Sequence, residues 1–124
     1  MSVRSFMLEF RTETSQVAEL RDERFWWNDS VIIKITAHRT WVELNRISSQ
    51  RHGCGHGSAA LAWFCALADK HGVSVHGIAA PFGDSWLSRA SLIGWYRRHG
   101  FKVTESATDT YIDRAPVTSR MLPS

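Results

Sequence analysis

A glycine-rich segment, Gln50–Ser58, carries the strongest chemical signal in the sequence. It reads QRHGCGHGS and separates a strand-like stretch from a helix-like stretch. Glycines let a ligand approach the backbone closely, and a helix N-terminus offers free N–H groups and a positive partial charge. Together these features predict a site for a phosphate group, with Arg51 as an additional positive charge.

The spacing of the glycines indicates which phosphate ligands to exclude. The segment lacks the Gly-Lys-Ser/Thr ending of a nucleotide P-loop, which argues against ATP or GTP. The glycines follow a G-x-G-x-G pattern and the preceding strand does not open a βαβ unit, which argues against a dinucleotide fold. His52, Cys54 and His56 leave a zinc site as an alternative, but no C-x-x-C or H-E-x-x-H pattern supports it, so we expect no metal.

The elements that must position this segment follow from periodicity. Alternating or β-branched stretches predict strands over Val3–Phe10, Arg24–Trp27, Val31–Ala37, Thr40–Ser48, Val73–Ala80, Phe101–Val103 and Tyr111–Ala115. Apolar residues at helical spacing predict helices from Thr14 to about Arg24, over Ser58–His71 and from about Trp86 to Arg98. This order predicts an α/β or α+β fold, with helices on both faces of a mixed sheet.

Composition predicts one domain over residues 1–124. The chain has 124 residues, of which 44% are hydrophobic, and this is enough for one core. No secretory pattern or membrane-length apolar run is found, so we expect a cytoplasmic protein with two reduced cysteines, Cys65 being buried in a helix. The net charge of +3 suits a phosphate-bearing small ligand better than nucleic acid, since no dense basic stripe is present.

Two motifs resemble those of the GNAT family of N-acetyltransferases. Gln50-x-x-Gly53-x-Gly55 matches the Q/R-x-x-G-x-G/A signature, and residues 96–101 (YRRHGF) resemble the family's Y-x-x-x-G-F segment. The helix, strand and helix between them come in the family's order. The match covers about Val31–Val103, and the chain is similar to short stand-alone phage-encoded acetyltransferases of the anti-CRISPR type.

The resemblance implies a mixed, mostly antiparallel sheet whose middle strands splay to admit the pantetheine arm of acetyl-CoA. It also implies direct transfer of an acetyl group from acetyl-CoA to a primary amine, with a protein lysine as the expected acceptor. The residues expected at the cofactor are Ile47, Gln50, Arg51, His52, Gly53, Cys54, Gly55, His56, Gly57, Ser58, Ala79, Arg89 and Tyr96. Tyr96 would protonate the departing thiolate. Glu43 would be the general base, with His38 and His76 as alternatives.

Other functions stay open on the sequence. Six tryptophans, among them Trp26, Trp27 and Trp41, could form an aromatic face, so a catalytically inert binding module for protein or nucleic acid is one alternative, although core packing is the favoured interpretation. A nucleobase amine could replace lysine as the acceptor. Edge strands and exposed tryptophans are compatible with a homodimer, and we expect no membrane partner.

Overall fold

The computed structural model describes residues 2–16, 24–28, 31–49, 55–79, 89–106 and 109–116. Within these ranges the chain forms, in order, α1 (Val3–Glu13), β1 (Ser15–Gln16), β2 (Arg24–Trp27), β3 (Val31–Ala37), β4 (Trp41–Ser49), α2 (His56–His71), β5 (Ser74–Ile78), α3 (Arg89–Arg98), β6 (Lys102–Glu105) and β7 (Thr110–Arg114). Among the helices described, none is long and apolar enough to cross a membrane.

The described strands form one seven-stranded sheet in the order β1-β2-β3-β4-β5-β7-β6. Neighbouring strands are antiparallel except for β4 and β5, which run parallel. A parallel pair needs a crossover connection, and α2 lies between these two strands in the chain. The predicted mixed, mostly antiparallel sheet is therefore confirmed.

The N-terminal segment predicted as a strand, Val3–Phe10, lies instead in helix α1. The side chains that this helix buries recur at intervals of three and four residues: Val3, Phe6, Met7 and Phe10. Ser2 and Ser5 form a capping box, in which each hydroxyl accepts a hydrogen bond from the backbone N–H of the other, at 3.1 and 3.0 Å. The strand prediction was wrong because loose alternation masked the helical spacing of the buried residues.

The helix predicted from Thr14 to about Arg24 is wrong where the structure describes this segment. Ser15 and Gln16 form β1, which pairs with β2, and Arg24 is the first residue of β2. Residues 17–23 lie outside the described residues. The other predicted elements are confirmed in type, and those of β2 and β3 also in their bounds. The remaining described ends differ by one or two residues, whereas the predicted ends at Ala80 and Trp86 lie outside the described residues.

One face of the sheet carries the core. Its fully buried side chains come from four neighbouring strands and include Ile33, Ile35, Val42, Leu44, Val75 and Ile112. Burial alternates along β3, as the two-residue period of a strand requires when one face is covered. In β4, Trp41 and Glu43 point to the other face and are half-buried.

All three described helices pack on this core face. The Phe6 ring of α1 contacts the Phe64 ring of α2, with 5.5 Å between centroids. Trp95 of α3 donates from Nε1 to Ser58 Oγ of α2 at 2.8 Å. The crossovers β4-α2-β5 and β5-α3-β6 step in the same direction along the sheet, and right-handed connections then place both helices on the same side. The fold class is confirmed, but one detail differs, because within the described ranges no helix covers the opposite face, here called the open face.

Candidate active site

Strands β4 and β5 separate after a short parallel ladder. Their pairing ends where Leu44 lies opposite Gly77. β4 continues to Ser49, whereas the N–H of Ala79, just after β5, donates to the Thr110 carbonyl of β7 at 2.8 Å. Beyond Leu44, no described residue of β5 pairs with β4. This gap confirms the predicted splay of the middle strands.

A bulge in β4 coincides with the start of the gap. The pairing of β4 with β3 skips Asn45, which stands as one extra residue between Leu44 and Arg46. The Asn45 side-chain amide donates to Thr36 Oγ1 at 2.8 Å, which ties the bulge to β3. Beyond the bulge, Ile47 packs against the core. Ile47, a predicted cofactor contact, therefore lies on the part of β4 that has left β5.

The N-terminus of α2 presents backbone N–H groups that no described side chain caps. Gly55 precedes the helix in the left-handed conformation, with φ of 74°, and no side chain of the described residues caps it. The N–H of Ala59 donates to the Gly55 carbonyl at 3.0 Å, so the N–H groups of residues 56–58 lie ahead of the helical ladder. The first turn carries no acidic residue. The partial positive charge of this helix end is therefore available to an anion.

His56, in the first turn of α2, has a ring nitrogen, Nδ1, that is buried and has no hydrogen-bond partner among the described residues. Such an atom costs free energy unless a ligand or water satisfies it. Gly57 and Ser58 follow His56 in the same turn. Other predicted cofactor contacts lie outside the described residues: Gln50, Arg51, His52, Gly53 and Cys54. Arg89 begins α3, and its side chain also lies outside the description.

Tyr96 lies on α3 with its ring in the core. Its exposed fraction is 6%, and its ring packs against Phe101 at 5.3 Å and Trp95 at 5.1 Å. Burial, with a smaller contribution from the Cys65 thiol, raises the pKa of the Tyr96 hydroxyl above its ordinary value. The hydroxyl therefore stays protonated at neutral pH, which a proton donor requires. The hydrogen bond from Trp95 to α2 holds this part of α3 beside the same helix.

Polar side chains surround an indole ring on the open face, and this set is named the Trp41 cluster: Trp41, His38, Glu43, His76 and Asp113. The His38 ring stacks on Trp41 with 3.8 Å between centroids and 13° between planes, and the His76 ring meets Trp41 edge-on at 4.9 Å and 85°. His38 Nε2 lies 3.0 Å from Glu43 Oε1, and His76 Nδ1 lies 2.5 Å from Asp113 Oδ1. Each histidine thus has one aromatic and one carboxylate contact.

The sequence predicts Glu43, His38 and His76 as rival bases, and the structure brings all three together. The sequence gives no indication of Asp113, which lies 37 residues from His76 along the chain. The pairing of β5 with β7 brings the two residues together. The alternation of β7 indicates that Asp113 and Ile112 face opposite sides. The sheet topology determines which strands lie beside β7, and the local sequence pattern does not predict this topology.

Sulfur and metal chemistry have little support in the described part of the chain. Cys65 is a buried free thiol, as predicted, and burial raises its pKa to about 11. Of the alternative zinc site, only His56 is described, since His52 and Cys54 lie outside the described residues. Among the His, Cys, Asp and Glu residues that are described, no group of three or more is placed to hold a metal ion.

The fold matches solved structures that share little sequence with it. The crystal structure of the anti-CRISPR protein AcrVA5 is similar with a TM-score of 0.56 and 19% identity, over 67% of this chain and 88% of that chain. The crystal structure of a PaiA N-acetyltransferase from Thermoplasma acidophilum in complex with coenzyme A is similar with a TM-score of 0.52 and 16% identity, over 74% of this chain and 58% of that chain. The fold is GNAT-like.

The resemblance in the sequence is thus confirmed at the level of the fold. The GNAT-like chain spans a little over half the length of the PaiA acetyltransferase. No family model matches the sequence, and no curated protein does.

Proposed function

We propose that the protein is an acyl-CoA-dependent N-acyltransferase that moves an acetyl group from acetyl-CoA to a primary amine, with a protein lysine as the acceptor. The gap between β4 and β5 supports this function most directly. Its wide end is the end of β4 that α2 follows, so the uncapped helix N-terminus stands beside it. A strand edge that the described ladder leaves unpaired, next to a helix end whose N–H groups can receive an anion, suits an elongated ligand with amides along its arm and phosphates at its end.

The residues of the chain fit the two ends of coenzyme A. The N–H groups of residues 56–58, together with residues 50–54, would hold the pyrophosphate. His56 Nδ1, which has no partner among the described residues, would gain one there. The edge of β4 around Ile47 and the buried residue Ala79 would line the pantetheine arm. A similar fold in a coenzyme A complex supports this assignment. When bound, acetyl-CoA supplies a thioester carbonyl that an amine can attack.

The chain offers a proton donor and groups to receive the acceptor. Tyr96 would donate its hydroxyl proton to the departing sulfur, since burial keeps that hydroxyl protonated. Backbone N–H groups near Asn45 and Ile47, on the edge of β4 beyond the ladder, would stabilise negative charge on the carbonyl oxygen. Glu43 stands on the open face one residue before Leu44, where the acceptor would enter. A homodimer and a nucleic-acid acceptor stay predictions.

Calorimetry with acetyl-CoA, and with ATP, NAD and zinc as comparators, tests the proposal. We expect acetyl-CoA alone to bind with a micromolar Kd, which corresponds to about 8 kcal/mol. Gly55→Asp should weaken binding by at least about tenfold, because it adds a carboxylate beside the phosphate site, where a Cβ meets no atom of the described residues within 4 Å. Gly55→Asn is the matched control, since it has the same shape and tolerates the same backbone conformation.

The outcomes separate three readings of the fold. Loss of binding in Gly55→Asp but not in Gly55→Asn would support the phosphate site at α2. Equal binding by both variants would place the pyrophosphate elsewhere. Absence of acetyl-CoA binding in the wild type would refute the acyltransferase and favour a GNAT-fold module that binds another partner.

A further inference from the structure

A row of polar residues crosses three neighbouring strands on the open face, directly before the gap. Glu43 of β4 pairs with His76 of β5, and His76 pairs with Asp113 of β7. The next pair along the ladder, Leu44 with Gly77, is the last before the strands separate. Among the described histidines, His76 is therefore the closest in register to the narrow end of the gap.

The contacts of His76 fix which ring nitrogen is free. Asp113 Oδ1 lies 2.5 Å from Nδ1, and an ionised carboxylate only accepts hydrogen bonds, so Nδ1 carries the proton of the neutral ring. The lone pair then lies on Nε2. The edge-on contact with Trp41 limits rotation of the ring. The His76 and Asp113 side chains are 42% and 45% exposed, so a molecule on the open face can reach the pair.

The second histidine–carboxylate pair of the Trp41 cluster, His38 with Glu43, is less suited to take a proton from a molecule at the gap. His38 lies in the turn before β4, where its ring stacks on Trp41. Glu43 stands beside His76, but its carboxylate already contacts His38 Nε2 at 3.0 Å.

We propose that His76 is the base that takes a proton from the acceptor ammonium group, with Asp113 as the residue that positions its ring; this rests on the proposed function. The ammonium gives one proton to Nε2, and the freed lone pair attacks the thioester carbonyl. The C–N bond forms and the C–S bond breaks. The nitrogen loses its second proton as the sulfur gains one, and His76 passes the first proton to water. One proton is released for each amide formed.

The charged groups around His76 favour a cationic acceptor. The carboxylates of Asp113 and Glu43 stand on the two strands that flank it. His38 lies across Trp41, and Lys102 of β6 pairs with Asp113 at the far end of the row. The two flanking negative charges attract an ammonium ion and stabilise the imidazolium that forms when it loses its proton. The acceptor class is therefore a primary amine that is protonated at neutral pH.

The ring tautomer can be measured without any ligand. In ¹⁵N-labelled protein, long-range ¹H–¹⁵N correlations should show His76 with its proton on Nδ1. In Asp113→Asn the side-chain amide can donate to Nδ1, which should move the proton to Nε2 and remove the lone pair needed for catalysis. A wild-type ring protonated on Nε2 would overturn the proposal.

The transfer rate is measured with α-N-acetyl-lysine amide as the amine probe. His76→Gln and Asp113→Asn should each lower this rate by about 100-fold or more, with acetyl-CoA affinity by calorimetry unchanged. Glu9→Gln is the matched control. Glu9 Oε1 lies 3.0 Å from His71 Nε2 on the helical side of the molecule, so this variant removes a similar pair away from the gap and should keep the wild-type rate.

The outcomes distinguish this proposal from the proposed function. Normal acetyl-CoA binding with an unchanged rate in His76→Gln would overturn the role of His76 alone. A larger loss in Glu43→Gln than in His76→Gln would give the role to Glu43. A wild-type protein that binds no acetyl-CoA, or does not acetylate the probe, would overturn both.

Discussion

Replacing Gly77 with alanine should destabilise the protein and weaken acetyl-CoA binding. A Cβ atom at this position would overlap the backbone carbonyl oxygen of Leu44, in the last pair of the β4–β5 ladder. Because the obstacle is backbone and not a mobile side chain, the two strands must move apart. Overpacking of this kind costs about 1–3 kcal/mol. The same movement would displace the narrow end of the gap, where we expect the acyl group.

Gly94 provides the matched control. It lies inside α3, and a Cβ there would meet Arg98 Nη1 at 3.5 Å, an ordinary contact. Alanine is favoured over glycine inside a helix, so Gly94→Ala should stabilise the protein by about 0.5–1 kcal/mol. The two one-methyl substitutions should thus differ by about 1.5–4 kcal/mol, which is about 1–2 M in the urea midpoint for a slope of about 2 kcal/mol/M.

Urea unfolding followed by circular dichroism, with calorimetry of acetyl-CoA binding, measures both effects. Gly77→Ala should unfold at lower urea and bind less tightly, and Gly94→Ala should unfold at higher urea and bind normally. A Gly77→Ala midpoint equal to that of the wild type would show that the strands part at no cost. The inference that the Leu44–Gly77 contact sets the gap would then be wrong.

Three further changes test the surroundings of the site. Asp69→Ala should lower the free energy of unfolding in urea by about 3 kcal/mol, because the Arg114 guanidinium, 9% exposed, loses its hydrogen bonds of 2.6 and 2.9 Å to Asp69. Adding Arg114→Met should recover part of this loss. If the effects of the two substitutions simply add, Asp69 and Arg114 are not energetically coupled. Iodoacetamide at pH 8 should label Cys65 only after denaturation, because a pKa of about 11 leaves about 0.1% thiolate; rapid labelling in native-state peptide mapping would refute its burial. Tyr96→Phe should lower turnover by about 100-fold with acetyl-CoA affinity unchanged. Because burial raises the Tyr96 pKa, wild-type turnover should show no loss from its ionisation up to about pH 10.

The strands around the glycine segment could be predicted because local pattern and packing agree there. Val31–Ala37 is a β-branched run, and its alternate residues are buried. Helix α1 could not be predicted from the sequence, because its aromatic and β-branched core residues have modest helix propensity. Its stability comes from packing, with Phe6 and Phe10 both against Phe64 of α2. That contact joins segments far apart in the chain, which periodicity in one segment does not show.

The two halves of the candidate site also differ in how far local sequence predicts them. The N-terminus of α2 is legible in the sequence because Gly55 and the helix that follows it are contiguous. The Trp41 cluster depends on two crossovers that bring β4, β5 and β7 together. A list of candidate bases can be read from residue types, but the partner that orients His76 is found only when Asp113 is placed beside it.

The gap itself is encoded in the hydrophobic pattern of β4. After Leu44 the next residue packed on the core is Ile47, three positions on, whereas an uninterrupted strand has a period of two. Without a correction, Arg46 would face the core, and an unpaired charge there is costly. The bulge at Asn45 returns Ile47 to the core face and turns Arg46 to the open face. A bulged strand bends, and the ladder with β5 ends at this point. The packing requirement that keeps Arg46 out of the core therefore also opens the gap in which we propose that acetyl-CoA binds.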